Sequence, residues 1–369
     1  MKKPSPALHV SCIVAVIFLA SCVKTANTSP NGNPNGQDST SGSGLNTIPK
    51  TWVVSTVAGS ATPGYVDGDS TSAAFNNPQF IAIDLQGNLL VSDAGSSPRI
   101  RKISPSRQVT TWASDSVGNV TPLFDNIYGL VVDSKGDVFD DETNYIREFT
   151  SPSNSAFFAG QLLQGYKDDT ATNAVFDLTQ HLAIDRQDNI FLSDYDMSNV
   201  FHLRKITPAG VVTTLTLQDN TGVNSNSDGT IWYDYAIAVD SAGDIYVGAD
   251  MNTVIKKVTP QGNVSILAGN GVQTYKDGKG TGASFGNITD MTCDAAGNLW
   301  VVDGLVGVIR VVTPDGTVTS IAGIPGFGYV DGPAKQAQFK YPTGIAIAKD
   351  GTIYVVDNGN FRIRKIASQ

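Results

Sequence analysis

Val53–Phe80 reads VVSTVAGSATPGYVDGDSTSAAFNNPQF, and Thr317–Gly344 near the other end reads TVTSIAGIPGFGYVDGPAKQAQFKYPTG. Between the two copies a shorter line recurs: IAIDLQGNLLVSD from Ile81, LVVDSKGDVFDDE from Leu130, and LAIDRQDNIFLSD from Leu182. It continues as IAVDSAGDIYVGA from Ile237, MTCDAAGNLWVVD from Met291 and IAIAKDGTIYVVD from Ile345. The anchor residues Asp84, Asp133, Asp185, Asp240, Asp294 and Ala348 stand 49, 52, 55, 54 and 54 residues apart. A period near fifty, built from short strands, indicates a ring of blades or a solenoid.

Each repeat reads as four strands. The first is apolar with a small middle residue: Ala82, Val131, Ala183, Ala238, Thr292 or Ala346. Small side chains suit strands crowded round an axis. A tight turn follows, with Gly87, Gly136, Gly243, Gly297 and Gly351 free to take a positive φ. Asp188 holds that place in the third repeat, where a short acidic side chain is tolerated. The third strand carries an aligned base: Arg101, Arg147, Arg204, Lys256, Arg310 or Arg364. The sixth repeat stops after its third strand, at RIRKIASQ, while TWVVSTVAG from Thr51 matches the fourth strands NVSILAG and TVTSIAG. The expected fold is therefore all-β: a six-bladed β-propeller of four-stranded blades over residues 51–369. Its ring is closed by the N-terminal strand pairing into the last blade, which removes two open sheet edges.

Residues 1–22 stand apart from the repeats. Two lysines precede an apolar run from Val10 to Ala20 that is too short to span a bilayer as a helix and reads as a secretory signal. Its end, Leu19-Ala20-Ser21-Cys22, resembles a bacterial lipoprotein box, which implies cleavage before Cys22 and acylation of that thiol. Stable anchoring needs more than one acyl chain, each buried CH₂ contributing about 0.8 kcal/mol. Residues 23–50, rich in Asn, Gly, Ser, Thr and Pro, read as a flexible tether. The expectation is a lipid-anchored protein of a bacterial cell envelope. Val23, rather than Asp, after the cysteine points to the outer membrane. The net charge of −9 becomes −11 once Lys2 and Lys3 leave, and no basic run exists, which argues against nucleic acid as a partner. Beyond the leader only Cys22 and Cys293 remain, so no internal disulfide is expected once Cys22 is acylated. A monomer is expected.

The unit GIAIAKDGTIYVVDNGNFRIRKI resembles the NHL repeat, most closely in repeats one, three and six and least in repeat two, where VFDDETN shifts the acidic residue. The resemblance implies a β-propeller but no single activity. Asp84, Arg101 and their equivalents recur round the ring, so structural pairing and turn capping within blades are expected of them. A second element, Tyr-x-Asp-(Gly/Asp)-x₆-Phe, recurs as Tyr65/Asp67/Phe75, Tyr166/Asp168/Phe176, Tyr275/Asp277/Phe285 and Tyr329/Asp331/Phe339. The Phe is expected to plug the seam between blades and the Asp-Gly to make a turn. These loops share a face with the connections between second and third strands, and that loop face is where a ligand is expected.

The candidate ligand-face residues are thus Tyr65, Asp67, Tyr166, Asp168, Tyr275, Asp277, Tyr329 and Asp331, with His181 at the channel mouth. Catalytic machinery is scarce. Amidating lyases sharing the NHL propeller are expected to use a His-ligated zinc, but the mature chain keeps only His181 and His202. Gluconolactonase-like propellers hold a divalent metal with Glu and Asn oxygens, and the inner strands here carry no Glu. No cofactor or metal is expected. The oxygen-rich loops DGDS from Asp67 and DDETN from Asp140 are the places calcium would choose, though neither matches an EF-hand. The reading is a binding or scaffold module for a protein or glycan. The alternative is a hydrolase or lyase of the gluconolactonase-like or NHL lyase-like type.

Overall fold

The structure, a computed structural model, describes residues 51–114, 126–195, 200–219, 236–249 and 251–368. The leader with Cys22 and the tether lie outside the described residues, as do 196–199 and 220–235 of the expected loop face. Six sheets, each with four antiparallel strands, follow one another round the chain, and three of them carry a short fifth strand at the outer edge. Their innermost strands are Pro78–Ile83, Gly129–Val132, Leu178–Ile184, Ile237–Val239, Ile288–Cys293 and Pro342–Ile347, in blades 1 to 6. The turns after them behave as the sequence requires: Gly87, Gly136, Gly243, Gly297 and Gly351 all have φ between 79° and 95°, and Asp188 has φ 59°.

The second strand of each blade is sandwiched between neighbouring blades. Leu89–Asp93, Ile190–Tyr195 and Leu299–Asp303 are buried at every position, so they read as apolar runs rather than alternating ones. Side chains from adjacent blades meet in six clusters among the described residues, one per seam. Phe75, Phe176, Phe285 and Phe339 are each fully buried in four of those seams, as expected. Truncating one to Ala would cost about 3–5 kcal/mol.

Blade 6 confirms the closure. Trp52–Ala58 pairs antiparallel with Arg362–Ser368, with Trp52 opposite Ser368 and Thr56 opposite Arg364. A bulge falls between Thr56 and Ala58, and blades 1, 2, 4 and 5 have the same bulge between third and fourth strands, next to Arg101, Arg147, Lys256 and Arg310. The strand from the other end of the chain thus reproduces the irregularity of a covalently continuous one. Gly59 follows it at φ 112°, and a Cβ there would lie 2.4 Å from the Phe361 carbonyl oxygen. Only glycine allows that approach.

Candidate functional site

The five aligned arginines are wholly buried and each faces two carboxylates. Arg101 donates to Asp67 at 2.8 Å and to Asp93 at 3.2 Å. Arg310 does the same with Asp277 (2.9 Å) and Asp303 (3.3 Å), and Arg364 with Asp331 and Asp357, both at 2.6 Å. Arg204 joins Asp168 at 3.0 Å and also bonds Asp194. The anchor acids do something else: Asp84 accepts the Gln86 and Asn88 amides at 2.9 and 2.8 Å and so caps its turn. Pairing and turn capping both occur, but the arginine's partners are the loop aspartate and the acid ending the second strand, not the anchor.

The loop aspartates therefore lock each connection onto the next blade. The second oxygen of Asp67 accepts the Thr111 amide at 2.9 Å, and Asp168, Asp277 and Asp331 take the amides of Thr214, Ser320 and Thr56. Their tyrosines join in. Tyr65 lies under Arg99 at 3.8 Å, Tyr329 under Arg362 at 3.9 Å, and Tyr166 stacks on His202 at 4.1 Å. The Tyr275 hydroxyl meets Ser320 Oγ at 2.8 Å. These four Tyr–Asp pairs sit in four separate blades and do not converge. Of the sequence candidates, His181 alone lines the axis.

His181 belongs to a column that the repeat alignment contains but that begins one residue before the quoted lines: Phe80, Gly129, His181, Ala236, Asp290 and Gly344. Large and small residues alternate round the ring. A Cβ on Gly129 would meet the Leu182 nitrogen at 2.8 Å, and one on Gly344 the Gln79 carbonyl oxygen at 2.6 Å, so these small residues let neighbouring inner strands close up. The three large side chains turn toward one another instead. The rings of Phe80 and His181 meet edge to face at 4.6 Å, and His181 Nδ1 lies 3.8 Å from Asp290 Oδ1. His181 itself holds a left-handed φ of 49°, rare outside glycine, and its amide donates to the Tyr128 carbonyl of blade 2 at 3.1 Å.

Asp290 escaped the sequence reading because one acid in one repeat has no recurring partner to flag it. Its oxygens accept the amides of Met291 and, across the seam, Ile345, both at 2.8 Å. Burial pushes its carboxyl up to about 7 and holds the His181 imidazole down to about 3. Near neutral pH the pair thus offers an uncharged imidazole beside a carboxyl close to half-ionised, a combination able to hold or pass a proton.

Phe80 and His181 stand between two spaces, and Asp290 faces the lower one. Below lies the channel, about 300 Å³, lined by inner strands and including Cys293, whose thiol burial pushes up to about 12. Above lies a mouth cavity of about 300 Å³ on the loop face, bounded by Phe80, Tyr128, Asn287 and Thr289. Among the described residues no group of three or more His, Cys, Asp or Glu is placed to hold a metal. Both loops considered for calcium face a guanidinium instead. Asp67 binds Arg101; in blade 2, Glu142 bonds Arg147, and Asp140 Oδ1 stands 3.7 Å from Arg147 Nε.

Residues 339–366 match the family model described as NHL repeat. The chain is 26% identical over 357 residues to teneurin-3 of Mus musculus, covering 82% of this chain and 13% of that protein, so it spans a small fraction of that relative. Among solved structures it is similar to an auxiliary nutrient binding protein from Bacteroides ovatus, with TM-score 0.68, 19% identity, and 86% and 76% of the two chains covered. It is also similar to virginiamycin B lyase from Staphylococcus aureus, with TM-score 0.51, 13% identity, and 79% and 95% covered. At these identities the two structures speak for the fold alone.

Proposed function

We propose that this NHL-repeat propeller is a binding module whose ligand sits in the mouth cavity on its loop face. The observation that carries the reading is the floor made by Phe80 and His181, which line both the mouth and the channel: a guest entering from the loop face meets them before the channel. The hollow has the volume of a small-ligand site and mixes apolar with a few polar groups. The nutrient-binding protein of Bacteroides ovatus shares the fold, which is in keeping with such a role. A ligand-observed NMR fragment screen of the purified protein tests it. Hits should disappear in Thr289→Trp, which fills the mouth, and persist in Lys349→Trp on the opposite face. Hits that ignore the first change, or vanish only with the second, remove the reading.

A hydrolase or lyase is the second reading, favoured by the His181–Asp290 pair and by the fold shared with virginiamycin B lyase. In that case His181→Gln should abolish turnover of a bound compound while leaving its binding intact. The cellular setting follows from the leader: we read the protein as a monomeric lipoprotein of a bacterial envelope, held by lipid on Cys22, at the outer membrane. Cys22→Ser should end fatty-acid labelling and release the protein from the membrane fraction; unchanged labelling defeats the anchor.

A further inference from the structure

Resting on the binding reading, we infer that the ligand of the mouth is an uncharged polyhydroxylated molecule, a neutral saccharide unit. The polar groups round the cavity are amides and hydroxyls from four blades: Asn77, Gln79, Asn126, Asn287, Thr289 and Thr343. Amide and hydroxyl groups both donate and accept, which matches the double character of a sugar hydroxyl. Among the described residues the cavity wall carries no Lys, Arg, Asp or Glu, and burial keeps His181 neutral. An anionic ligand would meet no cation there, and the chain's own charge of −9 would oppose it.

The polar groups are also held in place. Gln79 Nε2 donates to Asn77 Oδ1 at 3.0 Å, and Asn358 Nδ2 from blade 6 donates to the same oxygen at 2.8 Å. Thr343 and Thr289 donate their hydroxyl hydrogens to the carbonyls of Gln79 and Pro342, at 2.8 and 3.0 Å. Their oxygens keep lone pairs for a ligand donor, and fixing them beforehand lowers the ordering cost of binding. Asn287 supplies the second observation. Asn287 lines the cavity, and its Oδ1 lies behind the wall, buried with no hydrogen-bond partner among the described residues. A turn of the amide would bring that acceptor to a ligand hydroxyl, which is the favourable side of the asymmetry between paired and orphaned buried groups. Phe80 and Ile127 give the apolar surface that the C–H face of a sugar ring needs. A hollow of about 300 Å³ suits one small ring, whereas a protein partner would need roughly 800 Å² of its own surface covered.

The test is isothermal titration and saturation-transfer NMR of the purified protein with glucose, galactose, mannose and N-acetylglucosamine. Glucuronate and glucosamine serve as charged counterparts. At least one neutral sugar should bind, at least tenfold tighter than either charged probe. Asn287→Leu, which keeps the volume and removes the acceptor, should weaken that binding at least tenfold with an unchanged melting temperature. The conservative Asn287→Gln should weaken it less. Should Asn287→Leu unfold the protein, Thr343→Val provides the same readout. No neutral sugar binding at 20 mM overturns the inference, as does binding that ignores both variants. Tighter binding of glucuronate or glucosamine, or of fragments only, also overturns the saccharide class while leaving the binding-module reading in place.

Discussion

Blade 6 is assembled from two ends of the chain, and blade 2 from one continuous stretch, yet blade 6 is the regular one. Arg364 holds Asp357 and Asp331, and the closing strand gives Asp331 both the amide and the hydroxyl of Thr56, as Thr111 gives them to Asp67 in blade 1. Repeat two lacks the Tyr-x-Asp loop. There Arg147 bonds Glu142, and Asp140 stands nearby at the strand position that Val91, Leu192, Val247, Val301 and Val355 occupy elsewhere. Asp141 is buried beside them and accepts the hydroxyl of Thr179 from blade 3. What makes a blade regular is therefore the clamp between its arginine and the incoming loop, not continuity of the backbone. In blade 2, where the loop aspartate is missing, the second acid comes from inside the sheet, and a group that elsewhere is half-exposed is fully buried.

The comparison breaks most completely if the closing strand is dispensable. Deleting Thr51–Gly59 should leave Arg362–Ser368 as an open apolar edge, and the product should unfold or aggregate. Moving the same nine residues to follow Gln369 through a short linker should restore cooperative unfolding near the parent melting temperature. A soluble two-state deletion protein alongside an aggregating permutant would end the closure model.

A smaller effect tests blade 2. Asp140→Val installs the residue type of the other blades. If Asp140 serves as the second carboxylate of Arg147, the change removes one partner of a buried ion pair and should destabilise by about 3 kcal/mol in denaturant titration. Were Asp140 only a desolvated liability, the same substitution would stabilise.

The last test lies in pH. Burial, with Asp194 and Glu142 nearby, pushes the Asp141 carboxyl up to about 8 from an ordinary value of 3.8. Below 3.8 the group is protonated in both folded and unfolded chains and costs nothing. Between 3.8 and 8 the unfolded chain releases the proton and the folded one keeps it, so stability falls as pH rises, and above 8, where both are ionised, the penalty is complete and constant. Asp141→Asn should remove this slope from denaturant midpoints measured between pH 5 and 9, while Asp331→Asn in blade 6 should not. A slope unchanged in Asp141→Asn would show that the carboxyl is ionised throughout.

The fold could be read from the chain because the blades repeat the same local demands: an apolar inner strand, a positive-φ turn, an aligned base and, in four of the six, a plugging Phe. Even the closure was legible, since a missing strand at one end matched a spare one at the other. Partners were harder. Asp84 and Asp93 are both acids of the same repeat, and sequence spacing cannot say which of them reaches Arg101. The loop folding back over the blade decides it, bringing Asp67 to Arg101 across 34 residues. The large side chains at the axis were hardest. Phe80, His181 and Asp290 share no residue type, so no motif marks them. They are related only by equal rank in three repeats and by the ring geometry that brings equal ranks to the axis. The eight Tyr and Asp candidates stood out through recurrence, and recurrence followed from their part in fastening the loops at four of the six seams.

The bond from Thr56 to Asp331 joins residues 275 apart, and the strand beside it pairs with the last strand of the chain. That has a consequence for how the protein is born. Trp52–Ala58 is among the first parts of the ring to be synthesised and its partner the last, a delay of roughly 15–60 s at ordinary rates of translation. Blades 1 to 5 can fold in order as they emerge, but their ring stays open throughout, with an apolar strand waiting at one end. Such long-range pairing makes final closure slow. A chain of this design needs that strand kept from wrong partners until residue 368 is free, whether by a chaperone or by crossing a membrane unfolded.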